Sequence, residues 1–299
     1  MEKAVVLVTG SEGYFGSVLC EYLAMNNYYV KKFDLRLDND VRRYESVLHQ
    51  IEYANPNYII NLAALVGEEL CNKYPERAVE TNLMGTINVA RLAKLHNAKL
   101  IFPSTCSNYG KTSELVNEES PLQPLSLYSQ TKVDAENIIP KINDDYTILR
   151  FATLFGYSPH MRWDLMVNEW LYDAVKYRRI EVYNPEAYRP FIHLLDACNA
   201  ILTVMENWDK VRNQIFNVGG INITKRELIG KIAKFLKMDE DKSLHVVGEV
   251  IDQRDYQVDF TKFYDMFDWE VVETIMDGLN EMHPRIFTPK FRNADVMYE

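Results

Sequence analysis

"KAVVLVTGSEGYFG", residues 3–16, begins as a short β-branched apolar run and closes on three glycines, each separated from the next by two residues. An apolar run with few polar positions suits a strand buried on both faces, as in a parallel sheet. Gly10, Gly13 and Gly16 permit a tight turn and a close approach of backbone. "YFGSVLCEYLAMN" (14–26) then takes helical spacing at Phe15, Leu19, Tyr22 and Leu23. Strand, glycine turn and helix in that order make the setting in which a dinucleotide pyrophosphate rests on a helix N-terminus.

The alternation continues outward from this unit. "YVKKFDL" (29–35), "NYIINLAA" (57–64), "KLIFPSTC" (99–106) and "YTILRFATLFG" (146–156) are strand candidates, and residues 75–97 and 124–142 are helix candidates. Repeated strand–helix alternation implies an α/β fold, a Rossmann-type doubly wound parallel sheet. After about residue 156 the rhythm changes. Helix candidates at 161–177, 224–237 and 273–282 lie among short strands, and 188–208 with 214–220 looks like a further strand–helix–strand. The expected division is a dinucleotide-binding domain over 1–160, to which 188–218 returns. A smaller, interrupted α+β substrate lobe covers 161–187 and 219–290, and 291–299 forms a polar tail.

Composition sets the outer limits. A chain of 299 residues fits one large domain or two fused lobes, and 47% hydrophobic residues suffice for a substantial core. The net charge of −10 argues against a nucleic-acid partner, because phosphate backbones require basic clusters. It leaves room for one phosphorylated small molecule held by a few arginines. The four cysteines (Cys20, Cys71, Cys106, Cys198) are scattered and indicate neither a metal site nor a disulfide framework. The N-terminal apolar run is too short for a signal peptide. No apolar run approaches the roughly 20 residues of a membrane span. A soluble cytoplasmic protein without a membrane partner is expected.

Two further features carry chemistry. Asp34 ends the second strand, where a carboxylate accepts hydrogen bonds from the adenosine ribose hydroxyls and repels a 2′-phosphate. That favours NAD over NADP, although Arg36 nearby weakens the preference. "YSQTK" places Tyr128 and Lys132 at i and i+4, on one helix face. A tyrosine with pKa ~10 is a poor base near neutrality. A neighbouring ammonium and the positive charge of an oxidised nicotinamide would stabilise its phenolate.

Together, "VTGSEGYFG", "NLAA" (61–64), "NLMGTINV" (82–89), "STCSNYG" (104–110) and "YSQTK" resemble the extended short-chain dehydrogenases/reductases. More narrowly, they resemble the NAD-dependent epimerase/dehydratase family acting on nucleotide-diphosphate sugars. The likeness continues through "RFATLFG" (150–156), "YRPFIHLLDACNA" (188–200), "FNVGG" (216–220) and "RDYQVDFTK" (254–262). It implies that Thr105 hydrogen-bonds the reacting sugar hydroxyl, Tyr128 moves its proton and Lys132 holds the cofactor ribose. The implied cofactor set is Gly10, Gly13, Tyr14, Phe15, Gly16, Asp34, Asp40, Val41, Leu62, Ala63, Ala64, Asn82, Tyr128 and Lys132. Within it Asp40–Val41 hold the adenine, Ala63 and Ala64 leave room for the nicotinamide, and Asn82 braces the active-site helix. Arg189, with Arg254 and Asn168 beside it, is implied to contact the substrate diphosphate. The resemblance also implies a homodimer paired through helices 75–97 and 124–142.

This chain departs from the family pattern in three places. The stretch from Asp34 to Asp40 is short, "NLAA" has asparagine where histidine is common, and His193 reads as a structural histidine. The 4,6-dehydratases carry an Asp–Glu pair at the positions of Cys106 and Ser107, and the sugar-acid decarboxylases a glutamate at that of Ser107. Neither residue here is an acid that could run an elimination. The expected activity is therefore a nucleotide-sugar epimerase, at C4 first, using NAD. A 4-ketoreductase using NAD(P)H is the alternative. A non-catalytic cofactor-sensing regulator is a remote third, since Tyr128 and Lys132 are both present.

Overall fold

The computed structural model describes residues 3–239, 244–246 and 253–287. In chain order these hold β1 (Val5–Thr9), α1 (Tyr14–Met25), β2 (Tyr29–Phe33), α2 (Tyr44–Ala54), β3 (Tyr58–Asn61), α3 (Glu68–Lys73), α4 (Pro75–Val79), α5 (Gly85–Leu95), β4 (Lys99–Thr105), β5 (Lys111–Val116), α6 (Leu127–Ile142), β6 (Tyr146–Phe151), β7 (Thr153–Phe155), α7 (Met166–Tyr177), β8 (Ile180–Val182), β9 (Tyr188–His193) and α8 (Leu194–Glu206). β10 (Gln214–Val218), β11 (Ile221–Thr224), β12 (Leu244–Val246) and β13 (Asp255–Val258) follow, with further helices at Lys225–Phe235, Thr261–Phe267 and Ile275–Met282.

A six-stranded sheet in the order β10-β6-β4-β3-β1-β2 is parallel throughout. Its central strands are apolar along their length because helices cover both faces. One core joins α1 and α8 to the sheet through Leu19, Leu23 and Ile201. The other joins α2, α5 and α6 through Ile51, Val89, Leu92 and Ile139. Strand order reverses between β1 and β3, so the crevice where such sheets take ligands opens at their carboxyl ends. β2 is one of the two edge strands of this sheet. The short Asp34–Asp40 connection therefore runs at the sheet edge with Leu35 and Leu37 exposed. No helix among the described residues is long and apolar enough to cross a membrane.

Several expectations need correction. The continuous helix over 75–97 is instead α4, a π-helical turn at Glu80–Met84, and α5. The helix expected from 124 starts at Leu127, because the Ser126 hydroxyl accepts a hydrogen bond from Ser129 N (3.2 Å) in a capping box. The helix expected from 161 starts at Met166, and α2 had no counterpart in the sequence reading. The strand over 146–156 splits at Ala152, whose N–H donates to Val218 O (2.8 Å). β7 then leaves for a three-stranded sheet ordered β11-β9-β7. Of the stretch 188–218, α8 and β10 join the main sheet, whereas β9 lies in the smaller one. The polar tail expected at 291–299 lies outside the described residues.

One charged pair lies inside this apolar frame. Arg150, near the C-terminal end of β6, and Glu136, on α6, are both buried with Nη2 and Oε2 2.7 Å apart. Glu136 also accepts from Ser104 Oγ (2.5 Å) and Asn108 Nδ2 (2.8 Å), while Arg150 Nη1 donates to Tyr109 Oη (2.9 Å) and Glu118 O (3.2 Å). Removing one partner of a buried pair leaves an uncompensated charge. Glu136→Ala should therefore cost about 3–5 kcal/mol of stability by urea unfolding. A loss below about 1 kcal/mol would show that Tyr109 and Glu118 alone satisfy the guanidinium.

Candidate active site

The cofactor end begins with the glycine turn. Gly10 has φ +67°, and a Cβ there would stand 2.8 Å from Ala63 N and 2.9 Å from Leu62 C. A Cβ at Gly16 would collide with the Gly10 carbonyl. The turn can thus lie against the end of β3 only with glycine at both positions. Gly13 N donates to Gly10 O (3.1 Å) and caps α1, whose first turn carries no acid. The positive helix end therefore faces the crevice unneutralised. The Ser11 hydroxyl is buried there without a hydrogen-bond partner. This cradle, too tight for side chains and holding an orphaned donor, fits a pyrophosphate. At the adenosine end the Asp34 carboxylate accepts from Glu12 N and Arg36 N, each at 3.0 Å.

Other expected cofactor residues are committed within the protein. Tyr14 is buried, donates to Gly156 O (2.7 Å) and accepts from Asn168 Nδ2 (3.1 Å). Phe15 packs edge-on to Phe151, with ring centroids 5.6 Å apart. Their side chains are core, and only their backbone amides, orphaned at the helix start, remain for a pyrophosphate. The Asp40 carboxylate accepts from Arg42 Nη2 (2.7 Å) and Nε (3.0 Å). Burial alone would raise its pKa, but the Arg42 bonds outweigh that and hold it below the usual range. Val41 packs against Gly85, and its carbonyl accepts from Asn88 Nδ2 (3.0 Å).

A buried polar chain leads from this end to the other. Thr9 Oγ1 accepts from Ala63 N (3.1 Å) and donates to Asn61 Oδ1 (2.7 Å), and Asn61 Nδ2 donates to Thr86 Oγ1 (3.1 Å). Thr86 donates to Asn82 O (2.7 Å). Asn82 accepts from Leu65 N (2.7 Å) and donates to Leu65 O (2.9 Å) and Thr131 Oγ1 (3.1 Å). Thr131 in turn donates to Tyr128 O (2.8 Å). The π turn presents Asn82 to both the 62–67 loop and α6, a frequent use of such turns at functional sites.

The stretch 104–110 divides its hydroxyls between two tasks. Ser104, Asn108 and Tyr109 belong to the Arg150–Glu136 network. Thr105 Oγ1 accepts from Ser107 N (3.1 Å) and lies 2.9 Å from Ser107 Oγ, so these two hydroxyls pair with each other. The Cys106 thiol donates to Arg150 O (3.1 Å), and burial pushes its pKa far above the ordinary thiol range. On α6, Lys132 Nζ donates to Pro103 O (2.9 Å) and lies 4.6 Å from the Phe102 ring centre. Burial lowers its pKa to about 8, against the opposing charge of Glu136.

Tyr128 is half-buried, and burial pushes its phenol up to about 12. The cations that pull it back down are Arg162 and Arg254. This corrects the expectation that Lys132 tunes the phenol, since its ammonium is turned to the sheet. Arg162 pairs with Asp164 and lies over Gly67, where a Cβ would stand 3.3 Å from its Nη2. Arg254 Nε lies 3.3 Å from Glu68 Oε1. β13 pairs in parallel with β5, and Tyr188 N donates to Asp255 Oδ1 (2.9 Å). The residue after Arg254 is thereby tied to the residue before Arg189. Arg189 is buried, donates to Tyr188 O (2.9 Å) and faces the Tyr256 ring at 5.7 Å.

Asn168 does not join them. It is fully buried, accepts from Gly156 N (3.3 Å) and donates to Tyr14 Oη and Arg162 O (2.9 Å), which leaves its amide no face for a diphosphate. His193 is held between Glu281 Oε1 (2.8 Å) and Leu195 N (3.3 Å) as a structural group. Arg162, Glu68 and Glu136 were missed in the sequence. Glu136 had a signal, since it continues the i, i+4 spacing of Tyr128 and Lys132, whereas Arg162 and Glu68 lie outside any periodic pattern. Arg162→Met should raise the Tyr128 pKa, read by NMR titration of ¹³C-labelled tyrosine. An unmoved titration would assign the effect to Arg254.

The profile of the NAD dependent epimerase/dehydratase family matches residues 6–219. The chain is 25% identical to UDP-glucuronic acid decarboxylase 6 of Arabidopsis thaliana, over 92% of this chain and 86% of that protein. Its fold is similar to that of UDP-glucuronic acid 4-epimerase from Bacillus cereus, solved with UDP-glucuronic acid and NAD. The TM-score is 0.83 at 21% identity, covering 94% and 98% of the two chains. It is also similar to dTDP-glucose 4,6-dehydratase from Bacillus anthracis, solved with NAD, at TM-score 0.80 and 24% identity over 93% and 94%.

Proposed function

The chain belongs to the NAD-dependent epimerase/dehydratase family, and we propose that within it this protein is a nucleotide-sugar epimerase acting at C4. One observation carries the reading. Tyr128, Lys132 and the Thr105–Ser107 hydroxyl pair are present, while the position after Thr105 holds a thiol turned inward to Arg150 O. That set can move a hydroxyl proton, but it lacks the carboxylic acid an elimination would need. The relatives named as decarboxylases and dehydratase supply the substrate class, a sugar carried on a nucleoside diphosphate.

NAD, when bound, supplies a reversible hydride acceptor. The glycine turn and the α1 N-terminus would hold its pyrophosphate, Asp34 its adenosine ribose and Lys132 its nicotinamide ribose. Thr105 and Ser107 would orient the C4 hydroxyl toward Tyr128. The Tyr128 phenolate takes the hydroxyl proton as the C4–H bond breaks. Arg189 and Arg254 clamp the diphosphate, since guanidinium suits phosphate oxygens. The resulting 4-keto sugar turns about that clamped linkage and presents its other face. Tyr128 then returns the proton to the oxygen, and the C4–H bond reforms with inverted configuration. Redox equivalents balance within each turnover, so no net reduced cofactor accumulates.

Protein purified without added cofactor should therefore carry NAD. It should interconvert a C4-epimeric pair of UDP-sugars, followed by proton NMR, without net change in absorbance at the NADH wavelength. Tyr128→Phe should abolish turnover and keep nucleotide binding. Stoichiometric NADPH consumption with a 4-keto sugar nucleotide, and no epimerisation of either the neutral or the uronic acid pair, would replace this reading by the ketoreductase.

A further inference from the structure

The adenosine end of the crevice holds a charged cluster that the proposed reaction does not use. Arg36 follows Asp34 by two residues at the exposed edge of the sheet. An arginine there is the kind of group that accommodates a ribose 2′-phosphate and so admits NADP. In this chain its guanidinium is turned back over the glycine turn. Arg36 Nη1 donates to Glu12 O at 2.6 Å and lies 3.0 Å from His160 Nδ1. Arginine has donors only, so this contact requires Nδ1 to be the acceptor of a neutral imidazole. Burial first, and then the Arg36 charge, hold the His160 pKa below its ordinary value, which keeps the ring neutral.

His160 comes from the connection between β7 and α7, far from Arg36 in sequence, and it is firmly mounted. His160 N donates to Ser158 Oγ (3.2 Å), and Ser158 Oγ donates to Tyr14 O (2.7 Å) and lies 3.1 Å from Ser17 Oγ on the first turn of α1. Its Nε2 stands 3.7 Å from Glu12 Oε2, and Glu12 pairs with Lys32 at 2.9 Å. Both basic side chains that face this end, Arg36 and Lys32, are thus engaged by Glu12, while the Asp34 carboxylate stays on the Glu12 and Arg36 amides. An incoming 2′-phosphate would meet the two acids of this cluster with their basic neighbours already committed.

We propose that His160 is a specificity-determining residue for the cofactor: it anchors Arg36 over the glycine turn and thereby makes the site selective for NAD over NADP. Its role is to position, acting through Arg36. The proposal rests on the glycine turn being the dinucleotide site.

The test is calorimetric titration of nucleotide-free protein with NAD and with NADP. Wild type should bind NAD and discriminate against NADP. His160→Leu should strengthen NADP binding by about tenfold or more, the scale of one charge-assisted hydrogen bond to phosphate, and leave NAD binding within about threefold. His160→Gln, which keeps an acceptor, should retain wild-type selectivity and also covers the case in which the leucine variant fails to fold. Arg36→Ala combined with His160→Leu should erase the gain. Unchanged or weakened NADP binding in a folded His160→Leu protein that still binds NAD would overturn the proposal alone. Selectivity lost in His160→Gln would overturn it as well. Failure of wild type to bind either nucleotide would overturn the dinucleotide reading itself.

Discussion

The geometry of the site depends on the buried pair of Arg150 and Glu136. Tyr128, Lys132 and Glu136 succeed one another at i, i+4 and i+8, so they share one face of α6. Glu136 is the end of that row joined to the sheet, through a guanidinium presented by β6. Sliding or rotating α6 by one residue would leave a charge unpaired in an apolar interior, at a cost of several kcal/mol. The register of the face that carries Tyr128 and Lys132 is therefore set from below. The same acid holds Ser104 and Asn108, which fixes the end of β4 on which Thr105 stands. Its charge also opposes the burial that lowers the Lys132 pKa.

A second, uncharged network meets the first on α6 from the cofactor side. The chain Thr9–Asn61–Thr86–Asn82–Thr131 starts beside the glycine turn and ends on the carbonyl of Tyr128. Every link up to Thr131 is buried, and a buried polar group without its partner loses about 1–3 kcal/mol. Asn61 belongs to this chain because it offers an acceptor to Thr9 and a donor to Thr86 at once. Hydride acceptor and proton acceptor must be held in fixed relation for the reaction to proceed. In the proposed reaction that relation would be carried by the side-chain hydrogen bonds between β1, β3, the π turn and α6.

What the sequence disclosed follows from what is local. β1, the glycine turn and α1 were legible because burial on both faces, close backbone contact and helical period each leave a mark within sixteen residues or so. Tyr128 and Lys132 were legible as a pair for the same reason. The π turn at Glu80–Met84 was not, since a single wider turn inside a helical run carries no residue signature of its own. The pairing of β5 with β13, which carries Arg254 toward Tyr128, joins segments far apart in the chain and has no local signal. Asn168 had the residue type of a phosphate contact and the location of a brace, and only packing distinguishes the two. Lys132 was read as the cation at Tyr128 from helical spacing. A side chain that long can turn to the sheet instead, and here it does.

The charges around the phenol then impose an order on the proposed chemistry. Arg162 and Arg254 both lower the Tyr128 pKa, yet each stands with an acid, Asp164 and Glu68 respectively. Without ligand, burial still dominates and the phenol stays protonated near neutrality. In the proposed reaction a diphosphate drawn onto Arg254 would compete with Glu68 and place further negative charge on that guanidinium, so Arg254 would lose influence over the phenol. Arg162 is held over Gly67 by its pair with Asp164. An oxidised nicotinamide, if held by the glycine turn and Lys132 as proposed, would add a positive charge at this end. In the proposed reaction Tyr128 would be a stronger base with oxidised cofactor in place than with reduced cofactor. A base that switches with the cofactor's charge suits a reaction that must first remove a proton and then return it on the same residue.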